Sequence, residues 1–304
     1  MSWRTRHNLG WLEQLPGVRV DHPLAKHTSF NIGGPADFFL EVGEDGRMEK
    51  LLAECSQRQV PWRVLGAGTN LLVADAGIEG LVLRCVTRAH RIDGERVYAA
   101  AGLKMMRLAR IAAEANLVGF EWAIGVPGTV GGAVYQNAGC WGSELVSVLA
   151  AAEGFAPGER RESWAPSRLA LGYRTSALRS GELQGRVVEG AWITLRPGDG
   201  EAARKLMTKL TAERVRTQPI RTKNCGSVFK NPPGDSAGRL VEAAGFKGAE
   251  EGDAQISPQH ANFIVNRGAA SAAHVAHLIE RVQEGVRQSF GIDLETEVER
   301  VGRW

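Results

Sequence analysis

The sequence predicts a mixed α+β protein, and three observations support this prediction. Apolar residues recur at helical spacing in some segments and alternate, or run together, in others, so both helices and strands are expected. Glycine contributes 37 of the 304 residues, against a usual share of about 7%, which favours ligand-cradling loops over a helical bundle. The length suits two or three domains, and residues 200–304 form a second, helix-richer part of the sequence.

Apolar spacing also places the individual elements. Helices are predicted near 47–59, 103–116, 201–215, 237–244 and between Ser271, the expected N-cap, and Gly291, the expected stop. Strands are predicted near 38–42, 64–65, 80–85, 145–149, 186–195, 262–266 and 294–301. Asp93 and Gly94 are expected to form the two-residue turn of a hairpin.

Composition and charge exclude several classes of protein. The formal net charge of +3 is too small for a nucleic-acid-binding protein, and no basic run stands out. The four cysteines lie far apart without a CxxC spacing, so neither a disulfide framework nor a metal site is predicted. No apolar run approaches the roughly 18 residues that span a bilayer, and no cleavable apolar segment follows Met1. We therefore expect a cytoplasmic protein that binds neither nucleic acid nor membrane and needs no obligatory protein partner.

The stretch from Gly125 to Gly142 is the most unusual part of the sequence. Six of its eighteen residues are glycine and none is charged. Each glycine carries an entropic cost on folding, so six of them, with Pro127 fixing one φ, need a reason. An ordinary surface loop would carry Ser, Asp and Asn rather than Val130 and Trp141. A buried, flat, partly anionic cofactor is the favoured explanation, with a structural turn as the alternative.

A second glycine loop, Gly66–Leu71, follows a short predicted strand. It is similar to the dinucleotide fingerprint, but Leu71 stands where the third glycine belongs and Ala-Asp-Ala-Gly follows instead of a helix, which disfavours a Rossmann site. A nest of backbone N–H groups remains, with Thr69 and Asn70 as polar side chains, and it could hold a pyrophosphate.

Two further residues allow alternative interpretations. Cys140 is either a buried structural cysteine, which is the commoner case, or an attachment point for a covalent cofactor. Arg174, in the segment Leu-Gly-Tyr-Arg-Thr-Ser, has a local sequence that is more typical of a solvated surface charge than of a functional residue.

Six motifs occur in series along the chain. They are His-Thr-Ser-Phe-Asn-Ile-Gly-Gly (27–34), Gly-Ala-Gly-Thr-Asn-Leu (66–71), Gly-Val-Pro-Gly-Thr-Val-Gly-Gly (125–132) with Gln-Asn-Ala-Gly (136–139), Tyr-Arg-Thr-Ser (173–176), Gly-Ser-Val-Phe-Lys-Asn-Pro (226–232) and Leu-Glu-Thr-Glu-Val (294–298). In this order they closely resemble the UDP-N-acetylenolpyruvoylglucosamine reductase family, over nearly the whole chain from about residue 20. In having a short connection after Arg174, the sequence resembles the subgroup of this family that lacks an extra substrate-clamping loop.

The resemblance implies a fold and a cofactor. The expected fold is an FAD-binding region of the vanillyl-alcohol-oxidase (PCMH) type in two subdomains, residues 1–85 and 86–219, followed by a C-terminal α+β substrate-binding domain, residues 220–304, whose last strand could pack back on the FAD region. The pyrophosphate of FAD is expected at Gly66, Gly68, Thr69, Asn70 and Leu71, with Thr69 in place of the usual Ser. The flavin is expected beside Pro127, Gly128, Gly131, Gly132, Asn137, Ala138 and Gly139.

By the same resemblance, the catalytic positions are Arg174, Ser227 and Glu297, and substrate contacts are expected from Tyr173, Lys230, Asn231 and Gln259. The implied reaction is reduction of a UDP-sugar enolpyruvyl ether to UDP-N-acetylmuramate for peptidoglycan, with bound FAD and with NADPH as hydride donor. Arg174 would hold the developing enolate charge with rigid donors. Ser227 would deliver a proton, and Glu297 would act if protonated or would position the substrate.

Two other functions remain open from the sequence. An FAD oxidase of the same superfamily, acting on an alcohol or sugar, would keep the glycine loops but would not need Arg174, Ser227 and Glu297. A UDP-sugar-binding regulator would keep the fold, although chemically competent residues at all three positions argue against it.

We expect the purified protein to be yellow with one FAD bound non-covalently, because both glycine loops are uncharged. Acid or heat should release FAD into the supernatant, where its absorption and fluorescence identify it. Recovery of FMN would contradict this prediction. Flavin that stays with the precipitate would instead indicate covalent attachment, with Cys140 as the candidate residue.

Overall fold

Helices and strands are both present in the computed structural model, which describes residues 9–304, so residues 1–8 of the predicted first subdomain lie outside the described residues. The mixed α+β prediction is confirmed. The helices are α1 Gly10–Glu13, α2 Arg47–Gln57, α3 Met105–Glu114, α4 Val130–Gln136, α5 Pro166–Leu169, α6 Ala177–Ser180, α7 Gly200–Thr217, α8 Ala237–Ala243 and α9 Ala272–Phe290. The strands are β1 Arg19–Pro23, β2 Pro35–Val42, β3 Trp62–Leu65, β4 Leu71–Val73, β5 Ile78–Cys85, β6 His90–Asp93, β7 Arg96–Ala100, β8 Leu117–Val118, β9 Gly139–Cys140, β10 Ser143–Glu144, β11 Leu149–Phe155, β12 Glu162–Trp164, β13 Val187–Thr194, β14 Arg196–Pro197, β15 Glu250–Glu251, β16 Ala254–Ile256, β17 Ile264–Asn266 and β18 Glu299–Val301.

The chain divides into two compact units, each assembled from segments that are distant in sequence. Of the described residues, unit 1 comprises 9–20, 38–67 and 80–212, and unit 2 comprises 21–37, 68–79 and 213–304. The three contiguous domains expected from the resemblance stay a prediction.

Unit 1 is built around an antiparallel sheet and two helices. The sheet has the strand order β12-β11-β13-β7-β6. Helix α3 forms because Met105, Leu108 and Ile111 lie on one face of it, and this face is buried in the largest core cluster together with Val134 of α4. Part of a second sheet, which has the order β1-β2-β5-β3, also belongs to unit 1, and there β3 and β5 run parallel. The glycine loop Gly66–Leu71 begins where β3 ends.

Part of the central glycine stretch is helical, which the sequence did not predict. Val130–Gln136 forms α4, and the Thr129 side chain caps its first turn. The predicted strand at 145–149 is also wrong, because Leu145–Ser147 is a 3-10 helix and β11 begins only at Leu149. Both segments are short apolar runs, which do not by themselves distinguish a strand from a helical turn.

Two strand boundaries also differ from the prediction. The hairpin turn is formed by Gly94 and Glu95, since Asp93 pairs with Arg96. Gly94 takes the positive φ, 57°, that the first position of such a turn requires. At the C-terminus only Glu299–Val301 forms a strand, although the prediction began it at 294.

Unit 2 contains the three-stranded sheet β15-β16-β17, the parallel pair β4–β18 and the long helix α9. The caps of α9 are confirmed: the side chain of Ser271 accepts from His274 N, and Gly291 ends the helix in the left-handed conformation. The carboxylate of Asp75 accepts from Ala272 N at 2.8 Å, which satisfies another first-turn donor. Across residues 9–304 no helix combines the length and apolarity needed to cross a membrane.

Candidate functional site

Gly66 brings the two glycine loops together in unit 1. A Cβ atom on Gly66 would lie 2.4 Å from Thr129 Oγ1, closer than real Cβ contacts allow, so only glycine fits. The Thr129 side chain is buried, and its hydroxyl accepts from Gly132 N at 3.4 Å to cap α4. The loop that is expected to hold the pyrophosphate therefore starts against the helix that is expected to contact the flavin.

Gly131 and Gly132 are glycine for different physical reasons. A Cβ on Gly131 would lie 2.9 Å from Ala101 Cβ, and Gly131 N donates to Ala101 O at 2.8 Å, so Gly131 is required by internal packing. Gly132 is exposed, and a Cβ there would meet only Thr129 Oγ1 at 3.6 Å, an ordinary contact. Glycine inside a helix costs about 1 kcal/mol relative to alanine. The packing of the protein does not require glycine at position 132. A helix surface without a side chain at this position would let a flat ligand approach α4 closely.

The other residues of the central stretch differ in their exposure and in their contacts. Pro127 is exposed, and Gly128 O accepts from Met105 N at 3.0 Å. Cys140 is half-buried, and its Sγ would lie 2.7 Å from a Cβ on Gly125. These contacts do not decide between a structural and a cofactor-attaching Cys140, and non-covalent binding of FAD stays a prediction.

The side chain of Asn137 is used entirely within unit 1. It is fully buried, Nδ2 donates to Glu144 Oε2 and to Gly172 O, each at 3.0 Å, and Oδ1 accepts from Val146 N at 3.0 Å. Both amide hydrogens are therefore occupied. A flavin contact at Asn137 would come from its backbone, as at its buried neighbour Ala138.

Arg174 occupies a strained turn whose guanidinium group is held from two sides. Gly172 and Thr175 pair around it, and its φ is 55°, a left-handed value that usually belongs to Gly or Asn. Its Nη2 donates to Gly139 O at 2.9 Å, and its Nη1 lies 3.7 Å from Glu144 Oε1. The guanidinium carbon lies 5.0 Å from the ring centre of Tyr173, which is 46% exposed. A partly exposed, oriented cation of this kind is suited to an anionic ligand.

In unit 2, Gly68 packs against the first motif of the chain. Its φ is 62°, a Cβ there would lie 2.1 Å from His27 O, and Gly68 O accepts from Ser29 N at 3.1 Å. Ser29 Oγ is buried without a hydrogen-bond partner among residues 9–304. A buried hydroxyl beside the predicted pyrophosphate loop fits the pyrophosphate of the implied FAD, because a phosphate oxygen would satisfy it. The sequence analysis missed Ser29, although the glycine-rich motif that contains it was the available signal.

Ser227 and Glu297 lie on neighbouring segments of unit 2. Glu297 N donates to Val228 O at 2.8 Å, and Lys230 N donates to Glu295 O at 2.8 Å, so residues 227–230 run beside residues 295–298. Gly226, with a φ of 83°, makes the turn that leads into Ser227. A hydroxyl and a carboxyl group are thus presented from adjacent backbone segments.

The surroundings of Ser227 and Glu297 also affect the pKa of the nearby Cys225 thiol. Burial, and after it the carboxylate of Glu297, raises the pKa of the Cys225 thiol. The thiol therefore stays protonated at neutral pH and adds no charge beside Ser227.

The three residues of unit 2 that are predicted to contact substrate all have side chains that are bonded to other parts of the protein. Lys230 Nζ lies 2.6 Å from Glu295 Oε1, with its side chain mostly buried. Asn231 Oδ1 accepts from Ala237 N, the first residue of α8. Gln259 Nε2 donates to Val215 O at 3.2 Å and to Arg216 O at 3.1 Å, so its amide nitrogen ties down the end of α7.

The structure thus groups the predicted site residues by unit. Unit 1 contains Gly66, Pro127, Gly128, Gly131, Gly132, Asn137, Ala138, Gly139, Tyr173 and Arg174. Unit 2 contains Gly68, Thr69, Asn70, Leu71, Ser227, Lys230, Asn231, Gln259 and Glu297. Among residues 9–304, no cluster of His, Cys, Asp and Glu has the arrangement of a metal site.

Comparison with known proteins identifies relatives over nearly the full length. The family model described as FAD binding domain matches residues 36–154, and the model described as UDP-N-acetylenolpyruvoylglucosamine reductase, C-terminal domain, matches residues 218–301. UDP-N-acetylenolpyruvoylglucosamine reductase 2 of Symbiobacterium thermophilum is 42% identical, over 93% of this chain and 92% of its own length. The reductase of Rubrobacter xylanophilus is also 42% identical, over 96% and 98%. The crystal structure of the Thermus caldophilus reductase superposes with a TM-score of 0.79 and 36% identity, covering 93% of this chain and 97% of that one. These matches confirm the predicted fold class.

We predict that Gly132→Ala stabilises the protein without cofactor and weakens FAD binding. Alanine is favoured over glycine inside a helix by about 1 kcal/mol, whereas its methyl group would occupy the bare surface of α4. FAD affinity should fall about tenfold or more, which equals about 1.4 kcal/mol. Chemical unfolding of the FAD-free protein and fluorescence titration with FAD measure the two effects.

The matched control for this prediction is Gly131→Ala in the same helix. It should destabilise the FAD-free protein, because its Cβ would press on Ala101. If Gly132→Ala binds FAD as tightly as the wild type, the exposed face of α4 is not a cofactor surface.

We predict that Arg174→Gly is more stable than Arg174→Ala by about 1 kcal/mol, because only glycine adopts the left-handed conformation without steric cost. Both variants lose the guanidinium contacts, so their difference isolates the backbone strain at this position. Urea unfolding at a common pH measures it. Equal stability of the two variants would show that the turn relaxes once the guanidinium is removed.

Proposed function

Because the chain belongs to the UDP-N-acetylenolpyruvoylglucosamine reductase family, we propose that it reduces UDP-N-acetyl-3-O-(1-carboxyvinyl)-glucosamine to UDP-N-acetylmuramate, a peptidoglycan precursor, with FAD as cofactor and NADPH as reductant. The observation that carries the proposal is the pairing of the Ser227 and Glu297 segments, in which Glu297 N donates to Val228 O at 2.8 Å. Adjacent segments thus present a hydroxyl and a carboxyl group, and reduction of an enolpyruvyl double bond requires one proton in addition to a hydride.

The residues that would hold FAD lie in the two glycine loops. Backbone N–H groups at Gly66, Gly68, Thr69, Asn70 and Leu71 would bind the pyrophosphate, with Ser29 Oγ as a further donor. The surface around Pro127, Gly128, Gly132 and the Asn137–Gly139 backbone would bind the flavin. When bound, FAD supplies the hydride that adds to the terminal carbon of the enolpyruvyl group.

Arg174 would hold the charge that this addition creates on the neighbouring carbon and its carboxylate. Its guanidinium is a planar, rigid set of donors, and the bond to Gly139 O at 2.9 Å orients it before substrate arrives. Preorganised donors of this kind stabilise a developing anion because they need no reorganisation during the reaction.

Ser227 would complete the reduction by giving its hydroxyl proton to the neighbouring carbon, and the resulting alkoxide would take a proton back from water. Glu297 would orient the substrate, or donate the proton instead if it is itself protonated. Tyr173, Lys230 and Asn231 would contact the UDP-sugar, and Gln259 would do so through its amide oxygen, since its nitrogen is engaged with α7.

Anaerobic stopped-flow measurement of the two half-reactions tests the proposal through the visible absorbance of the flavin. NADPH should bleach the purified protein, and the enolpyruvyl UDP-sugar should restore its colour. Reduction by an alcohol or sugar, with reoxidation by O₂ and no turnover of the enolpyruvyl ether, would identify an oxidase. Binding of the UDP-sugar without any reduction would identify a regulator.

We predict that NADPH bleaches the flavin of Ser227→Ala at a near-normal rate. Reoxidation by the enolpyruvyl substrate should be slower by at least about 10²-fold, which is the usual rate contribution of a positioned proton donor. Ser227→Cys should recover part of the loss, because a thiol can donate a proton from about the same place. The two half-reactions are measured separately. Reoxidation of Ser227→Ala at the wild-type rate would move the proton donor elsewhere, with Glu297 as the next candidate.

A further inference from the structure

The side chain of Asn70 links the predicted pyrophosphate loop to the segment that carries Glu297. Asn70 Nδ2 donates to Glu297 O at 3.0 Å, although the two residues are 227 positions apart in the sequence. The main chain adds a second link, because Asn70 O accepts from Glu299 N at 2.9 Å. All of these atoms belong to unit 2.

The peptide groups on both sides of the Glu297 Cα atom are hydrogen-bonded, and the Glu297 carbonyl has the Asn70 side chain as a donor. The preceding group is held by the Ser227 segment, since Glu297 N donates to Val228 O at 2.8 Å. The following group is held at both ends. Its N–H, from Val298, donates to Val228 O at 3.3 Å, and its carbonyl accepts from the Asn70 side chain, in a place where a strand ladder would normally use a backbone donor. Val298, directly after Glu297, is buried in the hydrophobic core of unit 2.

We propose that Asn70 is a positioning residue for Glu297, in addition to its expected place in the pyrophosphate loop. Its amide holds the Glu297 carbonyl, and this fixes the direction in which the Glu297 carboxyl group leaves the backbone. The inference rests on the proposed function, in which Glu297 acts on the enolpyruvyl substrate. It also joins cofactor binding to substrate chemistry, because one residue takes part in both.

The expected effect follows from the geometry. Loss of one anchor leaves the carboxyl group free to shift, and a misplacement of about 1 Å can slow a reaction by about 10²-fold. We expect Asn70→Ala to lower reoxidation by the enolpyruvyl substrate about tenfold to a hundredfold once FAD is saturating. Bleaching by NADPH should stay within about twofold of the wild type, because that half-reaction does not use Glu297.

Asn70→Asp provides a second variant of the same shape that has no N–H to donate. Its carboxylate would face the Glu297 carbonyl, so its loss should equal or exceed that of Asn70→Ala. Thr69→Ala is the comparison from the same loop: fluorescence titration should show weaker FAD binding, which gives the pattern expected when only cofactor affinity is lost.

A double-mutant cycle with Glu297→Gln separates positioning from general damage. If Asn70 acts through Glu297, Asn70→Ala should reduce reoxidation by less than about twofold in the Glu297→Gln background. Equal losses in both backgrounds, or a defect limited to FAD affinity, would overturn the inference. A wild-type protein that is bleached by NADPH but not reoxidised by the enolpyruvyl ether would overturn the proposed function itself, and the inference with it.

Discussion

The parallel pairing of β4 with β18 is the constraint on which the candidate site of unit 2 depends. It sets Leu71 opposite Glu299 and Val73 opposite Val301. Because β4 directly follows the Gly68–Leu71 loop and β18 closely follows Glu297, the ladder fixes a cofactor loop and a catalytic candidate in one register. The entropy of closing a loop grows only as the logarithm of its length. A short ladder that buries Leu72 and Val301 can therefore hold two segments that lie near opposite ends of the chain.

Asparagine side chains also hold backbone segments together at places where no strand pairing does so. Asn262 accepts from Phe229 N and donates to Phe229 O, both at 2.9 Å, while its own carbonyl accepts from Val228 N. An apolar side chain at this position would leave buried backbone groups unpaired, at a cost of about 1–3 kcal/mol for each. Asn262 thus holds the residues after Ser227 in place, as Asn70 holds those around Glu297.

The sequence predicted those features that are encoded locally. The helix between Ser271 and Gly291 was predictable because its caps and its apolar face lie within one segment. The order of the motifs indicated the family, and the roles it implies for Arg174, Ser227 and Glu297 stay predictions. The bond between Asn70 and Glu297 was not predictable, since nothing in either segment indicates a partner that is 227 positions away. Similarly, neighbouring glycines look alike in a sequence, and only the packing of Ala101 distinguishes Gly131 from Gly132.

Backbone strain in unit 1 gives an independent reason to regard Arg174 as functional. Asn137, Trp141 and Arg174 all adopt left-handed φ values, of 47°, 57° and 55°, although none is glycine. Such conformations cost on the order of 1–3 kcal/mol each and persist only where the surroundings determine them from several sides. The Asn137 side chain reaches Glu144 and the carbonyl of Gly172, and the Arg174 guanidinium reaches the carbonyl of Gly139. Glu144 therefore contacts both the side chain of Asn137 and the guanidinium of Arg174, and the bond to Gly139 O supports the Arg174 turn while it orients the guanidinium. A solvated surface arginine would need no such support, whereas a donor that must be oriented before an anion forms would need it.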